Sequence, residues 1–422
     1  MKKLFLLLGL LLAGVSLFAA PDIIQEPKER MDPNVFSIMP WGGNVSEGDK
    51  VDYETYFQDI YDCGFNVGGF LDVSQIKTAK AHNIMASVYA SGLMDESIKD
   101  TKAQGIDWAN KIKAKIPKED LGNIYQIYVR DEPWLKDIEK VKNYSNAIKD
   151  IVGCRPYVNL MPDYAGKEIV GADYDEYCDR IIQGCGLDYV SYDNYSLFES
   201  IGLDEDRFYS NIEYISRAAR KNKVIFVNII LSIAHFNYAE PNDYSIHVQG
   251  WSTLAYGGRG LSYFLLHDPK LGNYRGCAYD RYGSKTPLWY VIRNMNFAIH
   301  NLMPYYKDLE WINSFHIGNI PKEGRGKESA MIIKNLDLGF QIKLDEEPNV
   351  LVGEFIGKKD NKEYAIIVNK SGKYSVKVNN IEFNKGKKVT HISDYSINNP
   401  ERDFAGEDMW LAPGHGCLLR AD

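Results

Sequence analysis

Short runs of apolar, β-branched and aromatic residues recur along the first three quarters of the chain. They are Val35–Trp41, Phe65–Leu71, Ile84–Tyr89, Ile124–Arg130, Pro156–Leu160, Asp188–Asp193, Val224–Leu231 and Leu261–His267. Each reads as a buried strand. Their starts lie roughly 19 to 40 residues apart, the size of a strand–helix unit. Amphipathic stretches fill the gaps: Tyr53–Cys63, Ile106–Lys115, Leu135–Ile151, Asp173–Gln183 and Asn211–Lys221. Gly64, Gly186 and Gly258 stand where helices should stop. Strands alternating with helices imply a parallel sheet. Eight units over about 265 residues match a (β/α)8 barrel. The competing arrangement is a doubly wound open sheet, which binds nucleotide at a Gly-rich first turn. The first turn here is Pro40-Trp41-Gly42-Gly43-Asn44, with neither G-x-G-x-x-G nor a Walker sequence.

Past about residue 310 the pattern changes to short strand-like runs separated by turn signals. Ser329–Ile333, Val350–Ile356, Tyr364–Val368, Ser375–Val378 and Lys388–Ile392 are such runs. A small all-β sandwich of roughly 100 residues is expected. The expected division is a signal peptide over 1–20, a barrel over 21–308 and a β-sandwich over 309–422. Lys2 and Lys3 precede an apolar run from Leu4 to Phe18, and Ala19-Ala20 supplies small residues for cleavage. Export follows as an expectation: periplasmic, cell-surface or secreted. The apolar run is shorter than the ~20 residues that span a bilayer, so no transmembrane segment is expected after cleavage.

Composition narrows the function. The 49 Lys+Arg against 57 Asp+Glu give a net charge of −8, which leaves no electrostatic footprint for nucleic acid. Tyr, Phe and Trp reach 13% of the 422 residues, a surplus suited to sugar stacking, to a β-rich domain or to an interface. The six cysteines form no C-x-x-C pair. Cys178 and Cys185, on one helix, would stand about 10 Å apart, beyond disulfide reach. The eight histidines show no H-E-x-x-H or similar spacing. No metal, nucleotide or flavin is indicated, and no cofactor is expected. Oligomeric state is not readable.

A barrel carries its chemistry at the C-terminal ends of its strands. The fourth run ends Tyr128-Val129-Arg130-Asp131-Glu132-Pro133-Trp134. With period two, Gln126, Tyr128, Arg130 and Glu132 share one face, so Glu132 is expected at the barrel mouth. A carboxyl in such a cleft gains proton affinity and can act as a general acid. The alternative is a surface Asp-Glu pair that caps the next helix. The sixth run ends at Asp193, flanked by Tyr192 and Tyr195. Asp193 is a candidate base or nucleophile, or a ligand for a sugar hydroxyl. The seventh run, with Asn228 and His235, has no carboxylate at its end; Glu240 is the nearest, in the following loop. The eighth ends at His267-Asp268-Pro269. Asn228, His235, His267 and Asp268 are candidate substrate contacts, and Trp41 and Trp134 candidate sugar platforms. Ordinary packing explains either Trp equally well.

Three passages resemble the (β/α)8 glycoside hydrolases of clan A, the group that includes β-galactosidase-like enzymes. Asp131-Glu132-Pro133 resembles their Asn-Glu-Pro acid/base signature, with Asp in place of Asn. Tyr256–Phe264 resembles the passage into their last strand, and Gly283–Trp289 the turn into their eighth helix. The resemblance spans roughly residues 35–305 and implies an exported glycosidase acting on an oligo- or polysaccharide, with Glu132 as acid. Those enzymes carry a Glu nucleophile after strand seven, and none stands near Asn228–His235. Three mechanisms therefore stay open. Glu132 works with Asp193 as base; or Asp131-Glu132 acts as a substrate-assisted pair, as in hexosaminidases; or Glu240 swings in as nucleophile. Two other functions remain beside these: a non-catalytic carbohydrate-binding protein on a decayed barrel, and a structural surface protein.

Overall fold

A computed structural model describes residues 30–42, 52–270, 272–327, 332–340, 347–396, 398–404 and 409–422. The expected signal peptide, Gly43-Asn44 and most of the run from Ser329 lie outside the described residues.

All eight expected strands form. They are β1 (Ser37–Pro40), β2 (Val67–Leu71), β3 (Met85–Val88), β4 (Ile124–Asp131), β5 (Arg155–Leu160), β6 (Tyr189–Asp193), β7 (Ile225–Leu231) and β8 (Gly260–Phe264). They pair in parallel as one eight-stranded sheet in the order β1-β8-β7-β6-β5-β4-β3-β2. The two ends of that order meet: the Asn66 N–H donates to the Ile38 carbonyl at 3.1 Å, just ahead of β2. Gly69 makes the meeting possible, because a Cβ there would stand 2.2 Å from the Pro40 carbonyl oxygen. The result is a near-closed (β/α)8 barrel rather than an open sheet.

One main helix follows each strand: α1 (Tyr53–Asp62), α2 (Ile76–Ala81), α3 (Thr101–Lys115), α4 (Ile138–Ala147), α5 (Tyr174–Cys185), α6 (Glu205–Asn222), α7 (Asp243–Ala255) and α8 (Pro287–Tyr306). Side-chain caps start several of them. Asp52, Asp100, Asp204 and Asn242 each accept a first-turn N–H. The left-handed residue after α7 is Gly257 at φ +81°, one position before the expected Gly258. The six cysteines are all free thiols. No helix among the described residues is long and apolar enough to cross a membrane.

After α8 the chain builds antiparallel strands: β9 (Leu309–Ile317), β10 (Ile333–Phe340), β11 (Val350–Gly357), β12 (Glu363–Asn369), β13 (Val376–Phe383), β14 (Val389–Ile392), β15 (Glu401–Asp403), β16 (Met409–Leu411) and β17 (Gly416–Ala421). They form a six-stranded sheet, β9-β11-β12-β17-β14-β15, and a three-stranded sheet, β10-β13-β16. Val350, Val352, Ala365, Ile367 and Leu419 share a core with Val376 and Phe383 of the smaller sheet. Leu351, Phe355, Ile366, Val368 and Leu418, on the opposite face, belong to the core around the barrel helices. The six-stranded sheet is thus buried on both sides, which is why β11 and β12 read as continuous apolar runs and not as alternating ones.

A buried ion pair crosses the same boundary. The Lys370 ammonium, fully buried, meets Glu205 at the start of α6 at 2.8 Å and the Asn319 carbonyl at 2.7 Å. Asn349 and Asn319 also donate to Glu205. Removing one member of such a pair leaves an uncompensated charge. Glu205→Ala is therefore expected to cost about 3–5 kcal/mol, measured by denaturant unfolding. A loss below about 1 kcal/mol would show that water reaches Lys370.

Candidate active site at the barrel mouth

Inside the barrel, alternate residues of each strand point to the axis. Met39, Val67, Tyr157, Tyr189 and Val227 pack there. One level is polar: Tyr189 donates to the Gln126 carbonyl oxygen, and the Gln126 amide donates to Ser87 at 2.8 Å.

The next level up holds the carboxyl groups. Simple alternation along β4 puts Arg130 and Glu132 on the inward face. The structure departs from this because β4 carries a bulge: Tyr128 pairs with Tyr157, but the next partners are Arg130 with Val158 and Asp131 with Asn159. One extra residue reverses the facing of everything after it. Arg130 turns outward, exposed, 3.7 Å from Asp137. Asp131 enters the barrel, where the Asn159 amide donates to it at 3.0 Å.

The same Asn159 nitrogen donates to Asp193 at 2.6 Å. Two bonds diverging from one planar NH2 place the accepting oxygens roughly 5 Å apart. The orientation of that amide is fixed from behind. Ser191 donates to its carbonyl oxygen at 3.0 Å, Tyr157 stands 3.0 Å from Ser191, and the Trp41 indole N–H donates to Tyr157 at 3.1 Å. A flipped amide would set an N–H against the Ser191 hydroxyl and lone pairs against two carboxyls.

Glu132 follows, past the end of β4, at φ +46°. A side chain with a Cβ pays roughly 1–2 kcal/mol for that conformation. Backbone hydrogen bonds at Glu132 and at the residue after it hold it there. The Glu132 N–H donates to the Asn159 carbonyl at 2.9 Å, and Tyr177 of α5 donates to the Pro133 carbonyl at 2.9 Å.

Crowding these acids raises their proton affinity. Burial, then the charge of Glu132, pushes the Asp193 carboxyl up to about 8. Burial and Asp131 raise Glu132. Burial raises Asp131 too, against its Asn159 bond and the Arg130 charge. Nearby on the β5–α5 loop, burial lifts Asp163 to about 6 despite Arg207.

Aromatic rings run around the mouth. Tyr89 meets Tyr128, Tyr128 meets Phe70, Phe70 meets Trp41, Trp41 meets Phe264, and Phe264 stacks on Tyr195, with centroids 5.0–5.4 Å apart. His235 joins the belt, parallel to Tyr274 at 5.0 Å. Burial lowers its imidazole's proton affinity. Phe236 beside it is 71% exposed.

Of the residues singled out from sequence, Asp131, Glu132, Asp193, Trp41, Tyr195 and His235 thus gather at the mouth. The others do not. Tyr192 packs outward against Phe226, and Asn228 donates to Thr253 of α7; both sit on the helix-facing side of their strands. Asp268 is held by Arg281 at 2.6 Å. His267 lies flat on Tyr279 at 4.2 Å beside Tyr56 of α1. Trp134 is exposed, with the Lys136 ammonium over its ring. Glu240 is paired with Arg275 at 2.9 Å. Asn159, Tyr157, Ser191, Asp163 and Phe236 escaped a search confined to carboxylates at strand ends. Asn159 and Tyr157 share the inward parity of β5, which is the signal that finds them.

No protein-family model and no curated protein matches this chain. Solved structures do. A family 39 glycoside hydrolase from the gut symbiont Bacteroides cellulosilyticus aligns over 93% of this chain and 82% of its own, at 10% identity and a TM-score of 0.52. An endo-β-1,4-glucanase from Xanthomonas axonopodis pv. citri aligns over 63% of this chain and 99% of its own, at 10% identity and a TM-score of 0.46. A β-galactosidase from the psychrophilic Marinomonas ef1 covers 64% and 60%, at 8% identity and a TM-score of 0.46. The first of these extends the shared fold beyond the barrel, since 93% of the chain includes the β region.

The Asp193 environment has a measurable consequence. In the unfolded chain an aspartate ionises near pH 4; in the fold Asp193 keeps its proton to about 8. Between those values the folded state binds more protons, so stability falls as pH rises. Asp193→Asn keeps the acceptor for Asn159 and removes the titration. The variant is expected to lose less stability than the parent between about pH 4 and about pH 8, by on the order of a few kcal/mol. Parallel denaturation profiles across that range would show that Asp193 ionises normally.

Proposed function

We propose that this chain hydrolyses a glycosidic bond in an oligo- or polysaccharide, with Asp131, Glu132 and Asp193 as its acid–base groups. The observation that carries the reading is the pairing of Asp131 and Asp193 on one Asn159 amide at the C-terminal mouth of a (β/α)8 barrel, with Glu132 near enough for its charge to act on Asp193. Glycoside hydrolysis needs carboxyls on two sides of the scissile bond, one holding a proton and one ionised. Carboxyls that cannot all ionise together meet that need at neutral pH.

Glu132 is the general acid in this proposal. It stands at the rim beyond the last strand residue, and both burial and Asp131 favour its protonated form. Asp131 is given the charged role because, although burial raises it, the Asn159 bond and Arg130 work against that rise, while nothing opposes it at Glu132. Asp193, the deepest, retains its proton. A group that stays protonated to about 8 accepts a proton poorly at neutral pH, which favours the Asp131–Glu132 pair over Glu132 with Asp193 as base. Asp131 then orients the nucleophile, a water or a substrate acetamido group. The aromatic belt supplies faces on which pyranose rings stack. The reading of the 1–20 segment as a signal peptide supports an activity exported to the periplasm, the cell surface or the medium.

Glu132→Gln is expected to lower kcat by roughly 10²–10⁴-fold while glycan binding, followed by calorimetry, stays near the parent value. Undiminished turnover sinks the assignment, and binding without turnover in the parent chain favours a decayed barrel. Phe236→Ala is expected to weaken glycan binding by up to roughly tenfold and leave the melting temperature unchanged, because the ring is mostly exposed. An unchanged affinity would remove Phe236 from the binding surface.

A further inference from the structure

Away from the barrel mouth, three side chains from distant parts of the chain converge. Asp243 opens α7, His247 stands one turn later, and His415 sits in the tight turn between β16 and β17. One ligating atom of each lies within 4.8 Å of the others. His415 Nε2 is 2.9 Å from Asp243 Oδ2, and His247 Nδ1 is 2.9 Å from the Asp243 backbone carbonyl and 3.3 Å from Asp243 Oδ1. The imidazoles lie face to face, 3.9 Å between centroids and 17° from parallel.

A fourth group lies close by: Asp394, just after β14, lines the same cavity as His415. The His415 turn is built rather than loose. Its carbonyl accepts from the Asn369 N–H at 2.9 Å, and the Gly414 N–H donates to the Asn369 carbonyl at 3.0 Å. The Asn369 side-chain amide donates to Tyr374, Leu411 and Ala412. Gly414, at φ +79°, lets this turn press on α7: a Cβ there would stand 2.5 Å from the Tyr244 carbonyl oxygen.

We propose that Asp243, His247 and His415 bind a divalent transition-metal ion, zinc in the first instance, with Asp394 or a water as fourth ligand. Two imidazoles and a carboxylate suit Zn²⁺ at distances of about 2.0–2.2 Å, and imidazole ligation disfavours Mg²⁺ and Ca²⁺. Forming the site draws the three side chains together and requires His247 Nδ1 to leave the Asp243 carbonyl, or the ring to turn its Nε2 to the ion. The ion clips the last turn of the β region to the first turn of α7. Its role is structural, since none of its ligands is among the groups at the barrel mouth.

The test uses tag-free full-length protein, dialysed against chelator and titrated with ZnCl₂. One Zn²⁺ is expected to bind per chain and to raise the melting temperature. Co²⁺ in its place is expected to give visible absorption of the four-coordinate type without a thiolate charge-transfer band. His415→Gln and His247→Gln should each weaken Zn²⁺ binding by roughly 100-fold or more and abolish the cobalt spectrum. Their metal-free melting temperatures should stay close to the parent's, which separates lost ligation from lost folding. No Zn²⁺ binding by the parent, or equal binding by parent and both variants, overturns the proposal. Should either variant fail to fold, Asp243→Asn carries the same comparison.

Discussion

One extra residue in β4 determines what the barrel mouth contains. Without the bulge, Arg130 would point down the axis and Asp131 would face the helices. With it, Asp131 stands beside Asn159 and within reach of Asp193. The rest follows from solvation. Three acids in one small, partly dry volume cannot all be charged, and the relay from Trp41 through Tyr157 and Ser191 leaves the Asn159 amide one useful orientation. The amide supplies two N–H groups to two carboxyls and no positive charge, so it positions the acids without neutralising them.

The barrel was legible because its strands are buried on both faces and so appear as compact apolar runs. Eight runs gave eight strands, and the Asp and Asn caps mark several helix starts. The departures are instructive. α7 lacks a polar face, since β11, β12 and β17 cover what solvent would otherwise reach, and amphipathic periodicity misses it. The order of residues along β4 was read correctly, but facing was not, because a bulge is a property of two paired strands and leaves no mark on one. Period-two reasoning placed Asp193 with Tyr189 and Ser191, where no bulge intervenes, and failed for Asp131, where one does.

The carboxylates at the strand ends are organised by amides and hydroxyls that lie deeper in the strands, Asn159, Ser191 and Tyr157. Tyr192 and Asn228 illustrate the converse. Both lie in the right strands and are residue types that bind sugars, yet parity turns them to the helical layer. A residue's position along a strand says how near the mouth it lies, and its parity says whether it can reach it. The aromatic surplus divides in the same way. Trp41, Phe70, Tyr128, Tyr195 and Phe264 line the opening, while Tyr144, Tyr177 and Tyr209 are core residues whose hydroxyls bond a neighbouring helix or, for Tyr177, the loop after β4.

The six-stranded sheet has a further meaning for the molecule as a polymer. Its barrel-side face and the helices α7 and α8 are two halves of one apolar interior, joined by the ring contact of Tyr306 with Phe355 and by Gly353 seated on the Ala255 carbonyl. Severing the chain near residue 308 would separate two folds but divide a single core, exposing Trp251, Leu254 and Tyr306 on one fragment and Leu351, Phe355 and Val368 on the other. The shared interior therefore makes each module part of the solvent shield of the other, so the boundary in sequence is not a boundary in packing.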